Sequence, residues 1–342
     1  MGHPFFASAH RTRQGAAEPL FETPRLSPPR GDSIRSCRSS AVSILYRSVF
    51  FLLLLLCMML LPVRSWAQSL SANSLTAGSV LLVDPQGRVL FSKNPEGEHA
   101  PASLVKLMTL YLAFEALESD LATWDEAVDV SVHAARTPRY RLGLRAGEKV
   151  PLGVLLQGVA IASANDAATA VAEHLAGSEE AFVERMNEKA EELGLIHSRF
   201  VNPHGLPAPG QWTTARDLAQ LTDRLIEEFP GARGLLAGKG FVYRGKVYQR
   251  QFVLDKSPDG VQAVKTGYTH ASGYNLAVAA YRGSQRFLCI LLGSETRWLS
   301  FLEARRLLQY GFTQNGFHVT EDERRPAPKK RGASNASRKS RR

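Results

Sequence analysis

Cysteine is scarce in this chain: Cys37, Cys57 and Cys289 are all that its 342 residues contain. The first two fall in the N-terminal segment, so a processed chain would keep only Cys289, inside the apolar run 287–292. One cysteine cannot close an internal disulfide, and a small buried hydrophobe is its expected role. Metal-ligand spacing is missing as well. His133, His174, His197, His204 and His270 form no His-Glu-x-x-His or clustered pattern, so no metal site and no cofactor are expected. Nor does the body carry excess positive charge. The chain is +10 overall, but 1–67 hold eight Arg against three acidic residues, and 324–342 hold nine Lys or Arg and no acid. That leaves 68–323 at −4, which argues against a nucleic-acid groove in the body. The unbroken apolar run 49–61 has thirteen residues, between Arg47 and Pro62, fewer than the roughly 20 of a spanning helix. It fits the apolar core of a signal peptide, with Ser65-Trp66-Ala67 as a cleavage site before Gln68. The mature protein is therefore expected outside the cytoplasmic membrane.

Three regions follow from this: a disordered extension and signal peptide over 1–67, a folded body over 68–318, and a basic disordered tail over 319–342. At the start of the body, 79–83 and 88–92 flank Asp84-Pro85-Gln86-Gly87 and read as a β-hairpin. A helix follows from Ser103 to about Leu117, then a short strand over 126–132, a loop over 139–149 and a buried helix over 152–162. Ser163-Ala164-Asn165-Asp166 interrupts that helix and is expected to cap the next, 167–175, with Ser163 or Asp166 as the cap. Helical spacing continues over 179–193 and 214–229. From Phe241 the texture changes to short alternating segments at 241–243, 247–254, 261–266, 275–281 and 286–293, and 298–310 closes the body as a helix. No internal repeat is present. A hairpin, many helices, further antiparallel strands and a final helix make an α+β fold. Its antiparallel sheet is covered by helices, and a mostly helical insertion forms one wall of a cleft.

Three short patterns carry the chemistry. Ser103 and Lys106 are three apart at a helix start, so they share a face, and an amine beside a hydroxyl can take its proton. Ser163-Ala164-Asn165 holds a hydroxyl and a carboxamide two residues apart at a helical junction. Lys265-Thr266-Gly267 ends an apolar strand with a cation, a hydroxyl and a residue that permits close backbone approach. Each has a bland reading as a cap or a strand terminus. Together, in this order, they are specific.

With these motifs the chain resembles the low-molecular-weight penicillin-binding proteins, serine-type D-alanyl-D-alanine carboxypeptidases. The likeness runs from about Ser79 to Gly311 and includes Asn202-Pro203-His204-Gly205-Leu206 and Gly273-Tyr274-Asn275-Leu276. It implies a β-lactamase/transpeptidase-like fold with the active site between sheet and insertion. It also implies roles: Ser103 as nucleophile, Lys106 as its base, and Ser163 relaying a proton to the leaving D-alanine. Asn165 would hold the acyl chain, and Lys265 and Thr266 would face the terminal carboxylate. Arg250, fifteen residues before Lys265, would add a second cation. The backbone N–H groups of Ser103 and Tyr268 would form the oxyanion hole, and His204 is expected to be structural. The implied partners are the peptidoglycan stem peptide and, as covalent inhibitors, β-lactams. Two alternatives stand beside this reading: a non-catalytic binder of peptidoglycan or penicillin, and a β-lactamase, although no Glu-x-x-Leu-Asn occurs between Asn165 and Lys265. The sequence departs from the family at Ala164, where Gly is common. The roughly thirty mostly polar residues after Gly311 are also too few for the family's β-rich second domain and anchor helix. The basic tail is then either a solubilising extension or an electrostatic contact to anionic membrane or wall polymer.

Overall fold

The computed structural model describes residues 71–138, 140–250 and 261–317, without the side chains of 261–264. The expectations for 1–67, for 251–254 and for 319–342 lie outside the described residues. Along the chain come β1 (Ser79–Val83), β2 (Val89–Lys93), a 3₁₀ turn at Ala102–Val105 and α1 (Lys106–Glu118), then β3 (Ala127–Asp129), α2 (Val132–Arg136) and β4 (Lys149–Pro151). Next are α3 (Leu152–Gln157), α4 (Asn165–Ala176), α5 (Glu179–Glu192), α6 (Ala215–Glu228) and α7 (Pro230–Ala237). The last elements are β5 (Gly240–Tyr243), β6 (Lys246–Gln249), β7 (Val261–Thr269), β8 (Gly273–Arg282), β9 (Gln285–Ser294) and α8 (Arg297–Gln314).

Apolar runs in β1, β8 and β9 leave no polar face, so these strands need cover on both sides. They sit inside an antiparallel sheet of order β2-β1-β9-β8-β7, with Val80 opposite Leu291 and Leu81 opposite Ile290. Alternate residues divide between two cores. Leu81, Ala277, Ala279, Leu288 and Ile290 face the helical layer. Val80, Leu82, Val278, Phe287 and Leu291 face α8 through Phe301, Leu307 and Phe312. Each buried Val, Leu, Ile or Phe side chain among them contributes about 1.5–3 kcal/mol. The β1–β2 turn is closed by the Asp84 carboxylate, which accepts the N–H groups of Gln86 and Arg88, each at 2.9 Å. Gly87 takes the positive φ of 75° there.

The insertion between β2 and β7 is built on α1. Its residues 106–114 are all buried, as in a helix apolar on every side. Small residues on α4, among them Ala167, Ala168 and Ala172, let it pack against α1. Because the sheet order leaves β7 at an edge, its outer side is open to the nucleophile turn and the insertion.

The structure corrects several expectations. The 126–132 strand is only β3, paired with β4, and 132–136 is helical. The 152–162 helix widens into a π-type turn at Gly158–Ala162. Neither Ser163 nor Asp166 occupies the cap position of α4: that residue is Ala164, which has no side-chain cap bond, and Asp166 lies in the first turn, where it accepts the Ala167 N–H. The segments at 241–243 and 247–249 pair only with each other, outside the main sheet. A helix that periodicity did not indicate, α7, precedes them. Cys289 is free and buried, and burial pushes its thiol pKa up.

Candidate active site

Ser103 lies in the 3₁₀ turn one residue after Ala102, whose φ is +49°. A left-handed conformation costs a non-glycine residue about 1–2 kcal/mol, so the turn is held by what surrounds it. Asn275 on β8 donates through Nδ2 to the carbonyls of Ala100 and Pro101, at 2.9 and 3.1 Å. From the other side Gly205 lies so close that a Cβ there would come within 1.9 Å of the Ala102 carbonyl oxygen. On β7, a Cβ at Gly267 would lie 3.1 Å from the Ser103 nitrogen. Edge strand and nucleophile turn thus meet backbone to backbone, a close approach that glycine favours.

Lys106 opens α1 one turn after Ser103 and is completely buried. Its ammonium Nζ donates to Ser103 Oγ at 3.3 Å, to Asn165 Oδ1 at 2.7 Å and to the His204 carbonyl. Burial brings its pKa down to about 7, against an opposing pull from the Asp166 carboxylate. A second amine, that of Lys265 on β7, donates to Ser163 Oγ and to the Thr266 carbonyl, each at 2.9 Å. Burial first, then repulsion from Lys106 and Arg250, holds its pKa well below the usual lysine range. The Lys106 amine thus disfavours the charged form of Lys265. Ser163 reaches Lys265 from a left-handed residue, φ 56°, where the π-type turn meets α4.

Ser103, Ser163, Asn165, Lys265, Thr266, Arg250 and Tyr268 line one cleft, together with Tyr140, His204 and Asn275. A hydroxyl beside a buried amine that a third group orients is an arrangement able to carry acyl transfer through a serine, and a second hydroxyl–amine pair lies in the same cleft.

The profile of the D-alanyl-D-alanine carboxypeptidase family, peptidase family S11, matches residues 66–296. The chain belongs to this family. D-alanyl-D-alanine carboxypeptidase DacC of Escherichia coli strain K12 is 38% identical over 254 residues, which cover 72% of this chain and 63% of that protein. The chain therefore spans less than two thirds of that relative's length. Among solved structures, penicillin binding protein 5 of Haemophilus influenzae superposes with a TM-score of 0.67 at 32% identity, covering 70% of this chain and 71% of that one. Penicillin-binding protein D2 of Listeria monocytogenes, solved in its cefotaxime-bound form, gives 0.61 at 28% identity and covers 70% and 98%. The fold is thus that of the penicillin-binding proteins, α+β with the cleft at the sheet edge.

Within this family frame, the peripheral residues divide. Thr266 and Tyr268 are exposed on the face of β7 opposite to Lys265, and the Tyr268 ring stacks on Tyr274 at 4.3 Å. Arg250 lines the cleft, yet its guanidinium donates to the carbonyls of Gly238 and Leu235, at 2.9 and 3.4 Å, at the C-terminal end of α7. Burial lowers its pKa to about 10. His204 accepts the Leu206 N–H through Nδ1, and burial drives its pKa down to about 3, so the imidazole is neutral at ordinary pH. Sequence reasoning overlooked Tyr140, took Asp166 for a helix cap and gave Asn275 no role of its own, because each has partners far away along the chain. Among the described residues, no group of three or more His, Cys, Asp or Glu is placed to hold a metal ion.

Proposed function

We propose that the chain is a serine D-Ala-D-Ala carboxypeptidase that removes the terminal D-alanine of peptidoglycan stem pentapeptides and is acylated by β-lactams at Ser103. The observation that carries this is the Lys106 amine, buried, 3.3 Å from Ser103 Oγ and with a pKa near 7. A neutral amine takes the Ser103 proton as Oγ attacks the penultimate carbonyl. The tetrahedral oxyanion is received by the backbone N–H groups of Ser103 and Tyr268, where Gly267 lets β7 approach. The C–N bond then breaks, Ser163 passes a proton to the departing D-alanine amine, and water hydrolyses the ester. Asn165 orients Lys106 and the acyl chain. Lys265 and Arg250 form the cationic end of the cleft, suited to the substrate's terminal carboxylate, and Thr266 lines the same cleft. Family membership and the cefotaxime-bound relative support the substrate and inhibitor classes.

We further infer export to the periplasm or cell envelope, supported by the apolar run 49–61 and the small-residue boundary at Ala67. The test of the activity is a paired assay. Wild type should bind a fluorescent penicillin covalently and release D-alanine from a D-Ala-D-Ala peptide, and Ser103→Ala should do neither. Stable labelling without release would identify a non-catalytic binder. Rapid loss of the label with penicillin hydrolysis would identify a β-lactamase. Covalent labelling of Ser103→Ala would overturn the nucleophile assignment.

A further inference from the structure

The dipeptide Asn165-Asp166 opens α4, and residues 138 and 140–144 are moulded around it. Asn165 donates through Nδ2 to the Pro138 carbonyl at 3.0 Å, and through its backbone N–H to the Tyr140 carbonyl at 2.6 Å. The Asp166 carboxylate then accepts three successive backbone N–H groups, those of Leu142, Gly143 and Leu144, at 2.9, 2.8 and 3.1 Å. Asp166 is wholly buried, in the first turn of a helix, where the helix dipole favours an anion. All its hydrogen bonds are accepted, the pattern of an ionised carboxylate. The same segment is tied outward to the β5–β6 hairpin: Tyr248 donates to the Leu142 carbonyl at 2.6 Å, and Arg244 to that of Gly143 at 3.3 Å. Tyr140, half exposed, forms the cleft wall at the end of this segment.

Three ionisable groups interact electrostatically with the Lys106 amine: Asp166 on α4, His204 in the 202–207 loop and Lys265 on β7. His204 is neutral, with Glu179 3.6 Å behind its Nε2, and Lys265 is a like charge. Asp166 is the acid of the three.

We propose that Asp166 is a positioning residue for acylation, fixing Asn165 and the Tyr140 wall and supplying the buried negative charge that faces the Lys106 amine. It touches no reacting atom. It acts through Asn165, whose Oδ1 receives the Lys106 proton donor, and through the field at Nζ. The proposal rests on acylation at Ser103 with Lys106 as base, as set out above.

The test is the rate of acylation by a fluorescent penicillin between pH 5 and 9 for wild type, Asp166→Asn and Asp166→Glu, with thermal unfolding measured alongside. Wild type that does not label defeats the functional reading and not this one. Removing the negative charge lowers the proton affinity of Lys106, so in Asp166→Asn the acid limb should move down by about one pH unit. The rate plateau should fall at least about tenfold, because one side-chain oxygen cannot serve three N–H donors. Asp166→Glu keeps the charge but displaces it, so its plateau should fall while the limb stays in place. An acid limb unmoved in Asp166→Asn, whatever its rate, overturns the proposal. Should Asp166→Asn fail to fold, Asp166→Glu decides: a shifted limb, or a wild-type rate at every pH, overturns it.

Discussion

At the scale of the residue, Lys106 determines how the site responds to pH. Its stem is enclosed in the core of the insertion because α1 is buried over 106–114. The amine is therefore the one polar end of a side chain that cannot turn to solvent. Desolvation disfavours the ammonium, and the neutral form becomes accessible near pH 7. Since the base must be neutral to accept the Ser103 proton, acylation should rise with pH through a midpoint near 7 and fall away on the acid side. Stopped-flow acylation by a penicillin measures this directly. A rate independent of pH between 5 and 8 would exclude Lys106 as the base. Lys106→Arg keeps the cation and the length, but a guanidinium does not lose its proton. It should cost about 10²–10⁴-fold in acylation, the usual contribution of a positioned base.

At the scale of the element, the cleft depends on backbone contacts that side-chain reasoning does not reach. The 202–207 loop, the Ala102–Val105 turn and β7 converge on Ser103 through Gly205 and Gly267. Gly205→Ala would place a methyl 1.9 Å from the Ala102 carbonyl oxygen, at a φ of +83° that alanine adopts at a cost of about 1–2 kcal/mol. The turn must move, and a displacement of about 1 Å at a nucleophile costs on the order of a hundredfold. Penicillin acylation of folded Gly205→Ala should show that loss, and wild-type acylation would mean the turn can retreat without moving Ser103. Parts of this arrangement were legible in the sequence. Ser103 and Lys106 share a helix face by spacing alone, the Asp84-Pro85-Gln86-Gly87 turn announces the hairpin, and the alternating segments from 275 onward are β8 and β9. Other parts were not. Asp166 resembles a local cap, and its Oδ1 does accept the Ala167 N–H, but its other three partners are the N–H groups of 142–144, more than twenty residues upstream. Pro230, Gly231 and Gly234 read as breakers, yet burial of Ala232, Leu235 and Leu236 makes a helix of them. Short alternation at 241–243 and 247–249 gives strands but not their sheet, because pairing partners are chosen by tertiary contact.

At the scale of the whole molecule, charge is separated along the chain: −4 over 68–323 and nine basic groups over 324–342. An anionic surface would repel the body and attract the C-terminal end. α8, from which the chain runs toward that end, covers the sheet face opposite the helical layer, whereas the catalytic groups lie between β7 and the insertion. We propose that the basic segment tethers the enzyme electrostatically to anionic membrane or wall polymer. Each Lys or Arg near such a surface is worth about 1 kcal/mol, within a Debye length of roughly 8 Å at physiological salt. Nine of them suffice for binding that salt reverses. Chemistry on a small soluble peptide needs only the cleft, so deleting 324–342 should leave its turnover unchanged. Sedimentation with anionic lipid vesicles should fall on deletion, and should fall for the intact protein as salt is raised. Sedimentation that neither salt nor deletion reduces would defeat the tether and assign attachment to the apolar run 49–61 instead.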